Sequence, residues 1–221
     1  MSGPFTDQLQ EAAGEYFWML SRGYPQASAL KLVGDKFMLP RDMRQILYRG
    51  IVADEQAKLR RKKIAGITKG DHVLIDTYNV LFTVNNYLLG RPVFISNDGM
   101  MRDAGEMRGR IINKPQFSRS VSLMLDVLLM WPGATYVHYL DEPVSHSGRL
   151  SIELCKDMVQ MGIEGDAHTV LSPDHMLKTV RSEAICTSDG GIIDHYKGKV
   201  VDLPRFLLEH YFQADIPRLI S

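Results

Sequence analysis

Asp76, Asp141 and Asp189 each stand where an apolar run gives out. His72-Val-Leu-Ile-Asp76 closes on the first, Ala134–Leu140 leads into the second, and Glu183–Thr187 runs through Ser188 to the third. Asp194 follows five residues after Asp189, in TSDGGIID. Carboxylates gathered at one place repel each other, which raises their pKa values and strains the fold unless a cation neutralises them. An oxygen-rich pocket of this kind suits Mg²⁺ or Mn²⁺, and such ions assist water in cleaving phosphodiesters. One aspartate at a strand end commonly caps the next helix or turn. Three in one sheet point to a shared site.

Other residues offer supporting chemistry. Asp103 lies in NDGMMRDAGEMRGR with Arg102, Arg108 and Arg110. This loop suits a flap over the acidic site, with Asp103 as an added metal ligand and the arginines gripping phosphates; the alternative is a solvated turn with local ion pairs. Ser145, Ser147 and Arg149 follow Asp141 just before a helix, where hydroxyls and backbone N–H groups can hold a phosphate, unless the serines only cap that helix. Arg41, Arg44 and Arg49, with Lys58, Arg60, Arg61, Lys62 and Lys63, form a candidate nucleic-acid footprint or simply a solvated helix face. His138 reads as a satisfied core residue inside a strand. His146 and His195 follow strand ends and can approach a bound substrate.

The elements that must position these groups alternate. Apolar runs at 72–76, 134–141, 167–171, 183–187 and 199–203 read as strands buried on both faces, which belong to parallel sheets covered by helices. Helical stretches lie between them at 118–131, 149–161 and 174–181, with a last helix from Pro204, so an α/β fold with a mostly parallel sheet is expected. Sites in such sheets form outside the C-terminal strand ends, where the three aspartates fall. Residues 84–115 hold a short hairpin turning at Asn97-Asp98-Gly99. Ahead of this domain, assigned to 71–221, residues 1–66 read as a small helical domain. Its first helix is capped by Thr6 and ended by Gly23; a second runs from Gln26 to Val33 and is closed by Gly34; a third begins near Pro40 and can continue into Ala53–Ile64. A glycine-flanked linker, Gly66–Gly70, separates the two.

The formal net charge of the 221-residue chain is zero, and apolar residues make up 45% of it, so a sizeable core can form and net charge names no partner. The distribution is uneven: residues 1–70 carry 12 Lys/Arg against 7 Asp/Glu, and residues 71–221 carry 14 against 19. Two cysteines, Cys155 and Cys186, without a CxxC or Cys/His cluster, exclude a disulfide scaffold and argue against structural zinc. No basic start followed by an apolar run marks the N-terminus, and Val121–Trp131 is too short to span a bilayer. A cytoplasmic protein without membrane contact is expected.

Ile75-Asp76-Thr77-Tyr78-Asn79-Val80-Leu81 resembles the PIN-like and NYN-type nucleases, whose first strand ends in an Asp followed three residues later by Asn. The resemblance implies that Asp76 binds metal and that Asn79 holds the loop or a phosphate-bound water. Thr187-Ser188-Asp189 resembles that superfamily's acid after the fourth strand, and Asp141 takes the middle acidic place. Over nearly all 221 residues the chain also resembles a prokaryotic family called domain of unknown function 434, through SRGYPQASALKLVGDKFML, RQILYRG, VLIDTYNVL, DGMMRDAGEMRGR, LDEPVSHSG and TSDGGIID. That pattern favours Gly after the first Asp, where this chain has Thr77.

These readings converge on a metal-dependent ribonuclease in which Asp76, Asn79, Asp141 and Asp189 are catalytic. Asp76, Asp141, Asp189, Asp194 and Asp103 supply metal ligands, and RNA is favoured over DNA as partner. A homo-oligomer is left open. The alternative is a PIN-like scaffold that binds RNA or protein with its acids serving structure. A phosphohydrolase of the haloacid-dehalogenase type also begins with a strand ending in Asp, but needs a second acid two residues later, where this chain has Tyr78.

Overall fold

The computed structural model describes residues 5–105, 115–179 and 181–220. Alternation within β1 (His72–Asp76) sets the architecture: Val73 and Ile75 point into one apolar layer and Leu74 into another, as pleating requires. A strand buried on both faces takes the middle of a sheet. β1 pairs in parallel with β4 (Thr135–Asp141) on one side and β6 (Ala184–Cys186) on the other. β5 (Gly165–Val170) extends the sheet beyond β4 and β7 (Lys199–Val201) beyond β6, giving the all-parallel order β5-β4-β1-β6-β7. The α/β class with a mostly parallel sheet flanked by helices is as expected. β5 starts at Gly165, two residues before the apolar run, because pairing with Tyr136 carries the backbone further than side-chain burial reveals.

After β1 the chain visits β4 and β5, then returns to β6 on the other flank. The crevice opens where this direction reverses, outside the C-terminal end of the central strand. One face is covered by α5 (Thr77–Leu88), α6 (Pro115–Leu128), α7 (Ser147–Met161) and α10 (Leu203–Phe212), which supply Leu81, Val84, Phe117, Leu154 and Leu207 to the larger core. The other is covered by α8 (Pro173–Thr179) and α9 (Gly190–His195), through Leu177, Ile192 and Ile193.

The leading helices are α1 (Asp7–Ser21), α2 (Gln26–Lys36), α3 (Arg41–Gly50) and α4 (Asp54–Arg61). Thr6 caps α1 as expected, accepting from the Leu9 N–H. Gly34 does not close α2, which runs on to Lys36. The Arg44 guanidinium lies where a Cβ on residue 34 would sit, so this glycine serves close packing rather than termination. Nor does α3 continue into α4. The Asn97 side chain accepts from Val52 N–H and donates to Val52 C=O, at 3.0 and 2.8 Å, pinning the intervening backbone in an extended form.

Asn97 belongs to the anticipated hairpin, β2 (Val93–Ile95) and β3 (Met101–Asp103), whose turn ends at Gly99 with φ +88°. Phe94 from this hairpin and Leu219 from the C-terminal tail enter the core of the leading helices, beside Leu9, Tyr16 and Leu47. Gly50 is required there, because a Cβ would strike both Phe94 and Leu219. The hairpin and tail therefore tie the helical region to the sheet domain.

Candidate functional site

Asp76 closes β1 with its side chain almost fully buried, at 6% exposure. Its carboxylate accepts from Thr187 Oγ1 at 2.8 Å, and Thr187 Oγ1 in turn accepts from Asp189 N–H at 3.1 Å. No cation pairs with it among the described residues. Burial pushes its pKa up to about 7; the Thr187 hydrogen bond opposes this, and the charges of Asp141, Asp174 and Asp189 add to it. Asp141, at the end of β4, is raised by burial and by Asp174, and Asp174 by burial and by Asp189. Four carboxylates from β1, β4, the first turn of α8 and the loop after β6 thus share one field at the C-terminal sheet edge.

Asp174 is the member sequence reasoning missed. It follows the exit of β5 by four residues, beyond Ser172-Pro173, and so escaped a search for acids closing apolar runs. The usable signal was topological: every βα crossover of a parallel sheet delivers its connecting loop to the same edge.

Asn79, one turn into α5, holds the loop that carries Asp189. Its Oδ1 accepts from Ser188 N–H at 2.8 Å and Ser188 Oγ at 3.0 Å. Asp189 itself caps α9, accepting from Ile192 N–H. Thr77, where the family pattern favours Gly, is fully buried, with its hydroxyl 3.2 Å from His138 Nδ1. His138 is only half satisfied: its Nε2 has no partner, and burial lowers its pKa to about 4, keeping the ring neutral.

Other nominated residues are engaged elsewhere. Asp194 is held by Arg60, with both Nε and Nη2 at 2.7 Å, and by Gln56. A carboxylate already matched by a fixed guanidinium is no open metal ligand, and these bonds keep its pKa low against the opposing effect of burial. Asp103 faces Arg49 at 3.2 Å and accepts from Gly105 N–H at 2.7 Å, with Thr83 Oγ1 alongside. Arg102 forks onto Asp98 at 2.7 and 2.8 Å, while its Nε donates to Ser188 C=O; every nitrogen is in use, so it braces the Asp189 loop instead of gripping phosphate. Arg108 and Arg110 lie outside the described residues.

Ser147 donates to Glu142 C=O, Arg149 pairs with exposed Glu153, and Ser145 is exposed. No serine caps α7; His146, in the left-handed region at φ 68°, holds that position. His195 is exposed, its Nδ1 2.8 Å from Gly191 C=O. A groove of about 660 Å³ between α6 and α7 is lined by Phe117, His146 and Arg149, but by none of the four acids. A second, of about 400 Å³, is lined by Asn79 and Asp189 on the sheet side and by Gln26, Gln45, Tyr48 and Arg49 on the helical side. Of the four acids, Asp189 alone lines the smaller cleft.

The basic run divides just as sharply. Arg60 is buried between Asp194 and Asp98. Lys63 donates to the carbonyls of Ile193, Asp194 and Tyr196, and burial lowers its pKa. Arg44 binds Asp35 and Leu39 C=O, Arg61 donates to Asn97 C=O, and Lys58 pairs with Asp54. Arg41 and Lys62 are exposed. Tertiary contacts thus use Arg60 and Lys63 as structural cations, while Arg41, Lys58 and Lys62 stay at the surface.

Among the described residues, no group of three or more His, Cys, Asp or Glu side chains is already set around a single ion position. Among them too, no helix is long and apolar enough to cross a membrane.

Comparison with known proteins places this arrangement in a family. Residues 66–206, more than half of the chain and the whole five-stranded sheet, match the family described as "Domain of unknown function (DUF5616)", and the chain belongs to it. Residues 8–63, the leading helices, match "Protein of unknown function (DUF434)". The chain is also similar to the "Uncharacterized protein MJ0935" of Methanocaldococcus jannaschii, with 29% identity over 205 residues covering 91% of this chain and 97% of that protein. No solved structure matches it.

Proposed function

We propose that this protein is a divalent-metal-dependent nuclease of the PIN-like kind that hydrolyses phosphodiester bonds, with RNA as substrate. The observation that carries the proposal is Asp76: a buried carboxylate at the topological switch point, without a cationic partner among the described residues, under the field of three further acids. Uncompensated negative charge of this sort is expensive to keep in a fold. The charge is useful where a hard cation is to be bound, and oxygen-only donors suit Mg²⁺ or Mn²⁺. Mg²⁺ keeps several waters and takes only one or two carboxylates directly, so a closed cage of three acids is not required. Asp76 and Asp141 would hold the ion, with Asp174 and Asp189 acting directly or through its waters.

The ion, when bound, supplies charge neutralisation for attack of water on phosphorus. Asn79 fixes the Ser188-Asp189 loop, and Arg102 supports the same loop from behind. Hydrolysis consumes one water: a new P–O bond forms, the ester P–O bond breaks, and the leaving oxygen takes a proton.

A nuclease panel of single- and double-stranded RNA and DNA, with Mg²⁺, Mn²⁺ or EDTA, tests the proposal. Cleavage should require the metal and fall about 100-fold or more in Asp76→Asn. A folded Asp76→Asn chain that cleaves as well as the parent defeats the assignment.

A further inference from the structure

The cleft that reaches Asp189 has one wall made by the helical region, and Gln26 on that wall stands two residues after an exposed aromatic pair. Trp18 and Tyr24 are 50% and 47% exposed and stack on each other, with centroids 6.4 Å apart and planes at 29°. The Arg22 guanidinium lies 3.9 Å above the Trp18 ring. Two residues after Tyr24, Gln26 donates to Tyr48 C=O at 3.3 Å, joining the start of α2 to the end of α3. Tyr48 is itself 46% exposed and lines the cleft with Gln26, Gln45 and Arg49, opposite Asn79 and Asp189.

We infer that this surface, from Trp18 and Tyr24 through Tyr48 and Arg49 to Asn79 and Asp189, is a track for single-stranded nucleic acid. The inference rests on the nuclease reading for the chemistry at its inner end. Isolated exposed aromatics are ordinary; a stacked pair with its own guanidinium, leading by one hydrogen bond to a third aromatic at the mouth of a polar cleft, is a graded series of flat faces, cations and amides. Unpaired bases stack on aromatic rings and on guanidinium planes, and arginines take the intervening phosphates. Bases in a duplex are already stacked on each other and offer no face. The side-chain amides of Gln26, exposed, and Gln45, half-buried, suit base edges. Arg22 joins none of the ion pairs formed among the described residues, whereas Arg60 and Lys63 are internally bound. Of the basic run that the sequence nominates, only Arg60 lines the cleft, and its guanidinium is already bound to Asp98 and Asp194.

Binding is measurable without turnover. In a Trp131→Phe chain, Trp18 is the sole tryptophan, and its fluorescence reports directly on the outer end of the track. With EDTA present, a short single-stranded RNA should quench it, and a duplex of the same sequence should not. Trp18→Ala and Tyr48→Ala, with folding checked by circular dichroism, should each weaken strand binding about 5- to 100-fold, the range expected from losing one base–aromatic stack. Reversing Lys58 and Lys62 should weaken it less than either. Unchanged affinity in both aromatic variants, no quenching of Trp18, or equal binding of duplex overturns the inference. A chain that binds strand in this manner yet never cleaves with Mn²⁺ keeps the track and defeats the nuclease reading. A chain that cleaves with both aromatic variants unimpaired does the reverse.

Discussion

Two clusters of charge meet the Thr187–Asp189 segment, one through Arg102 and the other through Asp76, and they are built on opposite terms. In one, Arg60 and Arg102 converge on Asp98, and Arg60 also holds Asp194, so each carboxylate faces a guanidinium and Asp98 lies far below the ordinary range despite complete burial. In the other, Asp76, Asp141 and Asp174 are all raised, with no cation beside Asp76 among the described residues and Lys178 opposing the shift only at Asp174. The matched cluster joins α4, the hairpin turn and the β6 loop, which is work for a structural brace. Charge in the unmatched cluster costs stability, and on the proposed reading a bound cation would supply the missing positive charge. Both clusters are built on aspartates. What separates them is whether guanidinium groups of the chain stand against those aspartates.

The largest effect should come from breaking the matched cluster. Arg60→Ala or Arg102→Ala leaves Asp98 buried with half its compensation, and removing one partner of a buried ion pair costs about 3–5 kcal/mol. Urea unfolding should show this loss for either variant; a cost below about 1 kcal/mol would mean the network is not the brace its geometry describes.

The unmatched cluster should respond in the opposite direction. Asp76 takes up its proton more readily folded than unfolded, with a pKa of about 7 against the usual 3.8. The folded chain therefore binds more protons between those values, and its stability falls as pH rises through that window, by about 1.4 kcal/mol per pH unit at most. Asp76→Asn removes this dependence. It should stabilise the metal-free protein at pH 8 by on the order of 2–4 kcal/mol and flatten the stability profile between pH 4 and 7. A destabilised variant with the parent's pH profile would show that Asp76 carries no such charge penalty.

Mn²⁺ should do to the parent what amidation does to the variant. An ion at about 100 times its dissociation constant stabilises the folded state by roughly 2.7 kcal/mol. Thermal unfolding should rise with Mn²⁺ in the parent and much less in Asp76→Asn; equal shifts in both would place any bound ion elsewhere. The smallest effect belongs to the link between the clusters. Asn79→Ala removes two hydrogen bonds to Ser188, worth about 1–2 kcal/mol together, and cleavage should fall by less than in Asp76→Asn. Amide exchange at Ser188 should accelerate in this variant, and an unchanged rate would remove Asn79 from its positioning role.

Much of this was legible along the chain. Apolar runs of strand length separated by helical periodicity are local facts, and they specify a parallel sheet because only strands buried on both faces read that way. The places of Asp76, Asp141 and Asp189 follow from the same runs, as does the Asn97-Asp98-Gly99 turn, since positive φ at Gly99 is a property of one residue. The tertiary structure alone decided what each charge would meet. Arg60 and Arg61 are adjacent in sequence, yet one is buried against Asp194 and the other exposed, since helix rotation and packing set which face turns inward. Asp174 joined the acids, while Asp103 and Asp194 were drawn off by Arg49 and Arg60. Sequence fixes where charges stand on their own elements; pairing depends on distances of a few ångströms between residues as far apart as 60 and 194, and only the packed chain sets those.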